Sequence, residues 1–292
     1  MRPIELFQTL AVVVIWGLNF VVIKTAVSEI PPLALTALRF ALVAALLTPF
    51  FHLARAQLRP ILGLALVMGL GHFGMLFVGL RGADAATSAL MIQLGVPFSA
   101  ILAAIFFSDR LGWIRGLGMG LAFAGAALLA GEPQGGAIWA LGALLISAFC
   151  WAWANILIKR LPSLHPLTII GWMSLFAVPI LLVLSTLLET GQLTAIQAAS
   201  WKAWGSLAYI VLASSLIAYY LWYRLITRLD VNQVVPFTLL APVIGVFAGV
   251  LLLDETLTLF KAVGGLLTIS GVALIQVRQA RKREIEPATD SK

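Results

Sequence analysis

The chain has 292 residues, of which 61% are hydrophobic and only 11% charged, a balance that leaves too little polar surface to cover a water-soluble domain. Lipid is therefore its solvent, and at about 20 helical residues per crossing of a core roughly 30 Å thick, this length holds about ten crossings and no separate soluble domain. The net charge of +7 is scattered in ones and twos between apolar runs, with one cluster near the C-terminus, a pattern that sets membrane orientation and does not call for nucleic acid.

The first apolar run, 6–23, is long, holds Trp16 and Asn19, and meets no small-residue cleavage site before Lys24. It reads as a first helix and not as a leader. Apolar stretches bounded by charge, proline or turn residues follow at about 32–51, 60–80, 84–106 and 112–130. A second set falls at about 137–158, 166–187, 202–223, 231–252 and 258–277. The expected fold class is all-α integral membrane, with ten transmembrane helices. Small-residue spacings such as Gly112, Gly116, Gly120 and Gly245, Gly249 read as packing seams. The single cysteine, Cys150, excludes an internal disulfide framework and a cysteine metal cluster.

With the N-terminus inside, 14 of the 19 Lys and Arg residues fall on the inner side, including Arg2, Arg55, Arg110, Arg224 and Arg228. Only Lys24, Arg81, Lys202 and Lys261 fall outside, and Arg39 lies within the second helix. This bias places both termini in the cytoplasm and supports an even number of crossings. Arg278, Arg281, Lys282 and Arg283, just past the last run, suit anionic headgroups of the lipid bilayer. Residues 278–292 form a basic cytoplasmic tail.

The two sets resemble each other. Trp16 and Lys24 in WGLNFVVIK align with Trp151 and Lys159 in WAWANILIK, and Asn19 nearly matches Asn155. Further on, Pro97, Asp109, Gly118 and Gly125 answer Pro242, Asp254 or Glu255, Gly264 and Gly271. Each unit has five helices, an odd number, so the second enters the membrane from the opposite side. The expected division is 1–131 and 132–277, as inverted repeats, a device that secondary transporters use to alternate about a central site.

The stretches IWGLNFVVIK, PPLALTALRFAL, APVIGVFAGVLLLDETLT and GGLLTISGVALI resemble the EamA domains of the drug/metabolite transporter superfamily over roughly residues 6–277. The first-half loop SDRLGW departs from its counterpart, with Arg110 where the second half has Thr256. The resemblance implies a multi-pass carrier of the cell inner membrane, often an exporter of amino acids or related metabolites, with a cavity between the halves. A multidrug or nucleotide-sugar carrier of the same fold is the alternative, and a channel or non-transporting bundle is the alternative of another class.

Polar side chains at mid-membrane depth are costly unless partnered or wetted, so they are the candidates for a pathway. Trp16 with Asn19, and Trp151 with Asn155, each share a helix face. They either line the cavity, where an aromatic wall suits a ring or a cation, or join helices. His72 and Gln93 lie too deep to reach water, and Pro97 and Pro242 interrupt helices and free backbone carbonyls. Tyr219 is the deepest of an inner aromatic belt that includes Tyr220, Trp222 and Tyr223. Arg39 either binds a substrate carboxylate, reaches the outer interface or braces a carbonyl-rich helix end. A zwitterionic substrate such as an amino acid fits best, since no Asp or Glu lies at the hydrocarbon centre and deep basic residues are few.

That leaves His72 as the one deep group titrating near neutrality, so facilitated export is expected, with proton coupling through His72 as the variant. His52, His72 and His165 stand far apart with no membrane carboxylate beside them, and no Gly-rich phosphate loop carries a lysine. Catalysis, a metal, a cofactor and an ATP-driven pump are therefore not expected. The expected state is a monomer, with a dimer as the alternative.

Overall fold

In hydrocarbon every backbone N–H and C=O must bond within the chain, which restricts apolar runs of this length to helices. The computed structural model describes residues 1–107, 112–132, 136–161, 164–226, 228–229 and 231–285. Asp109, Arg110 and the tail beyond Ile285 lie outside the described residues. Within them the chain is helical, and strand-type pairing is confined to one bridge between Ala83 and Gly136.

The helices are α1 (Pro3–Glu29), α2 (Pro32–Leu47), α3 (Arg55–Gly82), α4 (Ala85–Phe106), α5 (Trp113–Ala130) and α6 (Ile138–Arg160). They continue as α7 (Pro166–Leu188), a short α8 (Gln192–Ala198), α9 (Trp201–Ile226), α10 (Pro236–Leu253) and α11 (Leu259–Ile285). Proline opens α1, α2 and α7, where its fixed φ suits the first turn and its missing N–H costs nothing. Nine of the described helices are long and apolar enough to cross a membrane, and α2 is a shorter apolar helix. Exposed Phe7, Leu188, Leu251 and Leu266 meet lipid on the outer surface.

Four helices are irregular at mid-length. In α3, Ala65–Gly74 winds as a π-helix, and in α9 Ile210–Ile217 does the same. In α4, Ile92–Leu94 tightens to a 3₁₀ turn just before Pro97, and a 3₁₀ segment, Val235–Leu239, precedes Pro242 in α10. Such interruptions re-aim side chains and commonly mark functional positions.

Helix α1 packs on α9 and α10, while α6 packs on α3 and α4. Helix α2 lies along α7, α4 along α10, and α5 along α11. The α5–α11 seam depends on glycine: a Cβ at Gly118 would sit 2.7 Å from the carbonyl oxygen of Gly271, and one at Gly264 would sit 2.9 Å from that of Gly125. Gly245 is likewise pressed on Ala89. The expected seam along Gly112, Gly116 and Gly120 is a correction, since a Cβ at any of the three would meet nothing within 4 Å.

Candidate functional site

A cavity of about 460 Å³ opens among α2, α3, α6, α7 and α9. Helix α2 contributes Arg39, Phe40 and Val43, α3 gives Met68 and Phe73, and α6 gives Asn155 and Ile158. Across from them stand Met173 and Ser174 of α7 and Ser215, Tyr219 and Trp222 of α9. A second hollow of about 340 Å³ shares Pro166 and Tyr219 with it and is lined also by His165, Arg224 and Arg228. The lining residues lie toward the C-terminal ends of α2, α6 and α9 and the N-terminal end of α7. The cavity therefore leads out at the end where the basic loops gather.

Arg39 forms the deep end. It is 2% exposed, its Nε and Nη2 donate to Ser215 Oγ at 3.2 and 3.0 Å, and its guanidinium lies 4.3 Å from the Phe73 ring centroid. Ser215 is placed by the π-helical stretch of α9 and donates its own proton to the Ile210 carbonyl at 2.7 Å. Nη1 of Arg39 is buried without a hydrogen-bond partner, as is Ser174 Oγ. Among the described residues no carboxylate lines the cavity.

At the opposite ends of these helices, polar ties join residues far apart in the chain. Glu189, after α7, accepts from the backbone N–H groups of Leu33 and Ala34 at 2.7 and 3.1 Å. Glu255 accepts from those of Ala85 and Ala86 at 2.6 and 2.9 Å. Glu29 accepts from Ser200 N and Oγ at 2.6 and 2.7 Å. Glu189 and Glu255 cap the first turns of α2 and α4, where unpaired N–H groups and the helix dipole favour negative charge, and Glu29 holds Ser200, the residue that caps α9. Lys261, 2% exposed, pairs with Asp84 at 2.6 Å, and Thr258 donates to Glu132.

Of the ten residues singled out in the sequence, Arg39, Asn155 and Tyr219 line the cavity. The other seven stand outside that lining. Trp16 packs behind it, with ring centroids 5.6 Å from Tyr219 and 5.3 Å from Trp222. Asn19, one turn on, has a buried Oδ1 without a partner. His72 is bonded to Ser147 of α6. Gln93 sits in the 3₁₀ turn of α4 with Pro97 buried just beyond it, and Trp151 packs against Gly95. Pro242 is buried in α10. Sequence reasoning missed Ser174 and Ser215. Their signal was weak, because a serine in an apolar helix ordinarily bonds its own backbone.

A family model described as the EamA-like transporter family matches the chain twice, over residues 3–131 and 137–277. A protein of Salmonella typhimurium named a probable amino-acid metabolite efflux pump is 33% identical over 279 residues, covering 91% of this chain and 92% of its own. A protein of Escherichia coli with the same name is 33% identical, covering 90% and 91%. An uncharacterized inner membrane transporter of Escherichia coli is 26% identical, covering 85% and 82%. A crystal structure at 19% identity superposes with a TM-score of 0.63 over 97% of this chain and all of the other, a likeness of fold alone. With two family matches over most of its length and an apolar, all-helical fold, the chain belongs to the EamA-like transporter family and is a multi-pass inner-membrane transporter, not an enzyme.

Proposed function

We propose that the protein exports small zwitterionic metabolites, amino acids above all, by alternating access between two inverted five-helix repeats, 1–131 and 132–277. In this reading α2 is the tenth crossing, and both termini, with the basic tail 278–292, are cytoplasmic. The helix partners support it. Advancing each crossing by five places, omitting the short α8, turns the α1–α10 and α1–α9 contacts into the α6–α4 and α6–α3 contacts, and maps α2–α7, α4–α10 and α5–α11 onto themselves. The π segments of α3 and α9 and the 3₁₀ segments of α4 and α10 exchange in the same way. So do the seam glycines: Gly118 and Gly264 are counterparts in the repeat, and each packs against the other's partner, Gly271 or Gly125.

The observation that carries the proposal is a polar-ended cavity open toward the basic loops, with ties between the two halves at the opposite ends of the helices. That is the shape of a carrier waiting for cargo from the cytoplasm. The names of the two 33%-identical relatives support amino-acid metabolites as the cargo. Because no carboxylate lines the cavity among the described residues, facilitated efflux is the form of transport this reading favours. The expected result, in proteoliposomes loaded with individual amino acids, is saturable efflux accelerated by the same amino acid outside. Linear, unsaturable flux would instead mark a channel, and absent flux for every amino acid would refute the assignment of cargo.

A further inference from the structure

We propose that Arg39 is the anchor for a carboxylate of the cargo, and that the cavity selects substrates with one carboxylate on a compact, largely apolar body. The inference rests on the export reading above and assigns the chemistry of its site. Taking a guanidinium out of water is among the most expensive burials a protein makes, and it is ordinarily offset by an anion. At Arg39 no protein anion does so among the described residues. Its Nε and Nη2 share the oxygen of a neutral serine, Ser215, and its face rests on Phe73.

These contacts fix the side chain in one pose and leave it underused. A guanidinium carries five N–H protons, and Nη1, which holds two of them, has no partner. A purely bracing arginine would spend those donors on helix-end carbonyls. Arg39 is part of the lining of a cavity that Ser174 of α7 also lines, and Ser174 Oγ is buried and likewise without a partner. A fork of N–H donors with a hydroxyl lining the same cavity is a recognition set for a carboxylate, the anion whose planar geometry the guanidinium matches.

Charge narrows the class further. Among the described residues the lining holds no carboxylate and one positive charge, that of Arg39. One cargo carboxylate neutralises it, a second brings an uncompensated negative charge into low dielectric, and a cargo bearing only an amine is repelled. The ammonium of an amino acid finds acceptors in the Asn155 amide and Tyr219 hydroxyl and the ring face of Trp222, all in the lining. Met68, Phe40, Ile158 and Met173 offer apolar walls to its side chain. On the way in, Arg224 and Arg228 of the adjoining hollow favour the approach of anions.

The test uses the full-length protein, in detergent for binding and in proteoliposomes for flux. The probes are alanine, leucine, methionine and phenylalanine, their carboxamides, isovalerate, and isoamylamine. At least one amino acid is expected to bind and to move about tenfold or more better than its own amide, isovalerate is expected to compete, and isoamylamine is not. In Arg39→Gln the preference for acid over amide collapses toward unity, and Arg39→Lys retains part of it. Ser174→Ala, a milder change, reduces it without unfolding the bundle. The wild-type ratio alone decides the matter if Arg39→Gln fails to fold. Amides moved as well as acids would overturn the inference and leave the export reading standing. Carboxylate binding without any flux would uphold the inference and defeat the export reading, and the absence of both would overturn both.

Discussion

His72 is bonded so that one tautomer is defined. Its Nδ1 lies 3.1 Å from the Ser147 carbonyl oxygen, which only accepts, so Nδ1 carries the proton. Ser147 Oγ meanwhile donates to the His72 carbonyl at 2.8 Å and lies 3.0 Å from Nδ1. These bonds tie α3 to α6 at a point where both are buried. His72→Ala removes a buried ring and its bond to Ser147, a loss of about 2 to 4 kcal/mol that should appear as a clear fall in Tm. Efflux with and without an imposed pH gradient should keep the same ratio in the variant as in the wild type. A gradient-driven acceleration present in the wild type and lost in His72→Ala would assign proton coupling to this residue. The depth of His72 was legible from its place in an apolar run, but its role was not, because the choice of Ser147 over the other buried serines is made by helix packing. Arg39 was legible in the same partial way: its burial followed from the sequence, whereas Ser215 reaches it only through a π-helical stretch that no proline or local motif announces.

At the scale of helices, two features carry different loads. The glycine seam between α5 and α11 allows backbone contact, and its cost of disruption is steric. Gly118→Ala drives a methyl against the Gly271 carbonyl and should cost about 1 to 3 kcal/mol, whereas Gly116→Ala, on the same helix facing open space, should stay within about 0.5 kcal/mol. Thermal unfolding of the two variants side by side checks this. Of the two rows that spacing suggested, Gly245 and Gly249 meet neighbours whereas Gly112, Gly116 and Gly120 do not, because a row of small residues does not say which face meets a neighbour. The repeat alignment singled out Gly118, Gly125, Gly264 and Gly271, since only contacts made in both halves survive such a comparison. In the proposed transport cycle the carboxylate caps load the equilibrium between shapes. Glu189, Glu255 and Glu29 each hold a helix N-terminus across the two halves at the ends away from the basic loops. Removing one cap, as in Glu189→Gln or Glu255→Gln, should weaken these ties by about 1 kcal/mol and raise the outward-open population about fivefold. With Cys150→Ser as background and a cysteine in place of Ser174 as reporter, faster labelling by an impermeant maleimide applied from outside would show it. Unchanged labelling would mean that these caps stabilise the helices without gating the cavity.

Over the whole molecule the decisive element is α2, because the inverted arrangement requires five crossings in each half. Its sixteen residues rise only about 24 Å, short of a core roughly 30 Å thick. Two features make up the difference. At one end Pro31 and Pro32 fix the entry and Glu189 satisfies the first N–H groups, so the helix starts without unpaired donors. At the other, backbone bonds from Thr48 to Ala44 and from Phe50 and Phe51 to Leu47 continue the winding for another turn. Trp172 of α7 caps the Phe51 carbonyl at 2.7 Å, so the exit is paired as well. Alongside, the 23-residue α7 shields one flank from lipid, so the shorter helix need not meet the full thickness alone. A crossing α2 gives ten spans and puts both ends of the chain on one side, whereas a surface-lying α2 gives nine and parts them. The distribution of basic residues, with Arg55 and Arg59 just after α2 and Lys24 alone near its start, favours the first. Fusions should therefore give an active periplasmic phosphatase at the α1–α2 loop and an inactive one after Arg55, with a C-terminal green fluorescent reporter that glows. Activity on both sides of α2, or a dark C-terminal reporter, would remove the tenth crossing and with it the exchange of halves on which the transport cycle depends.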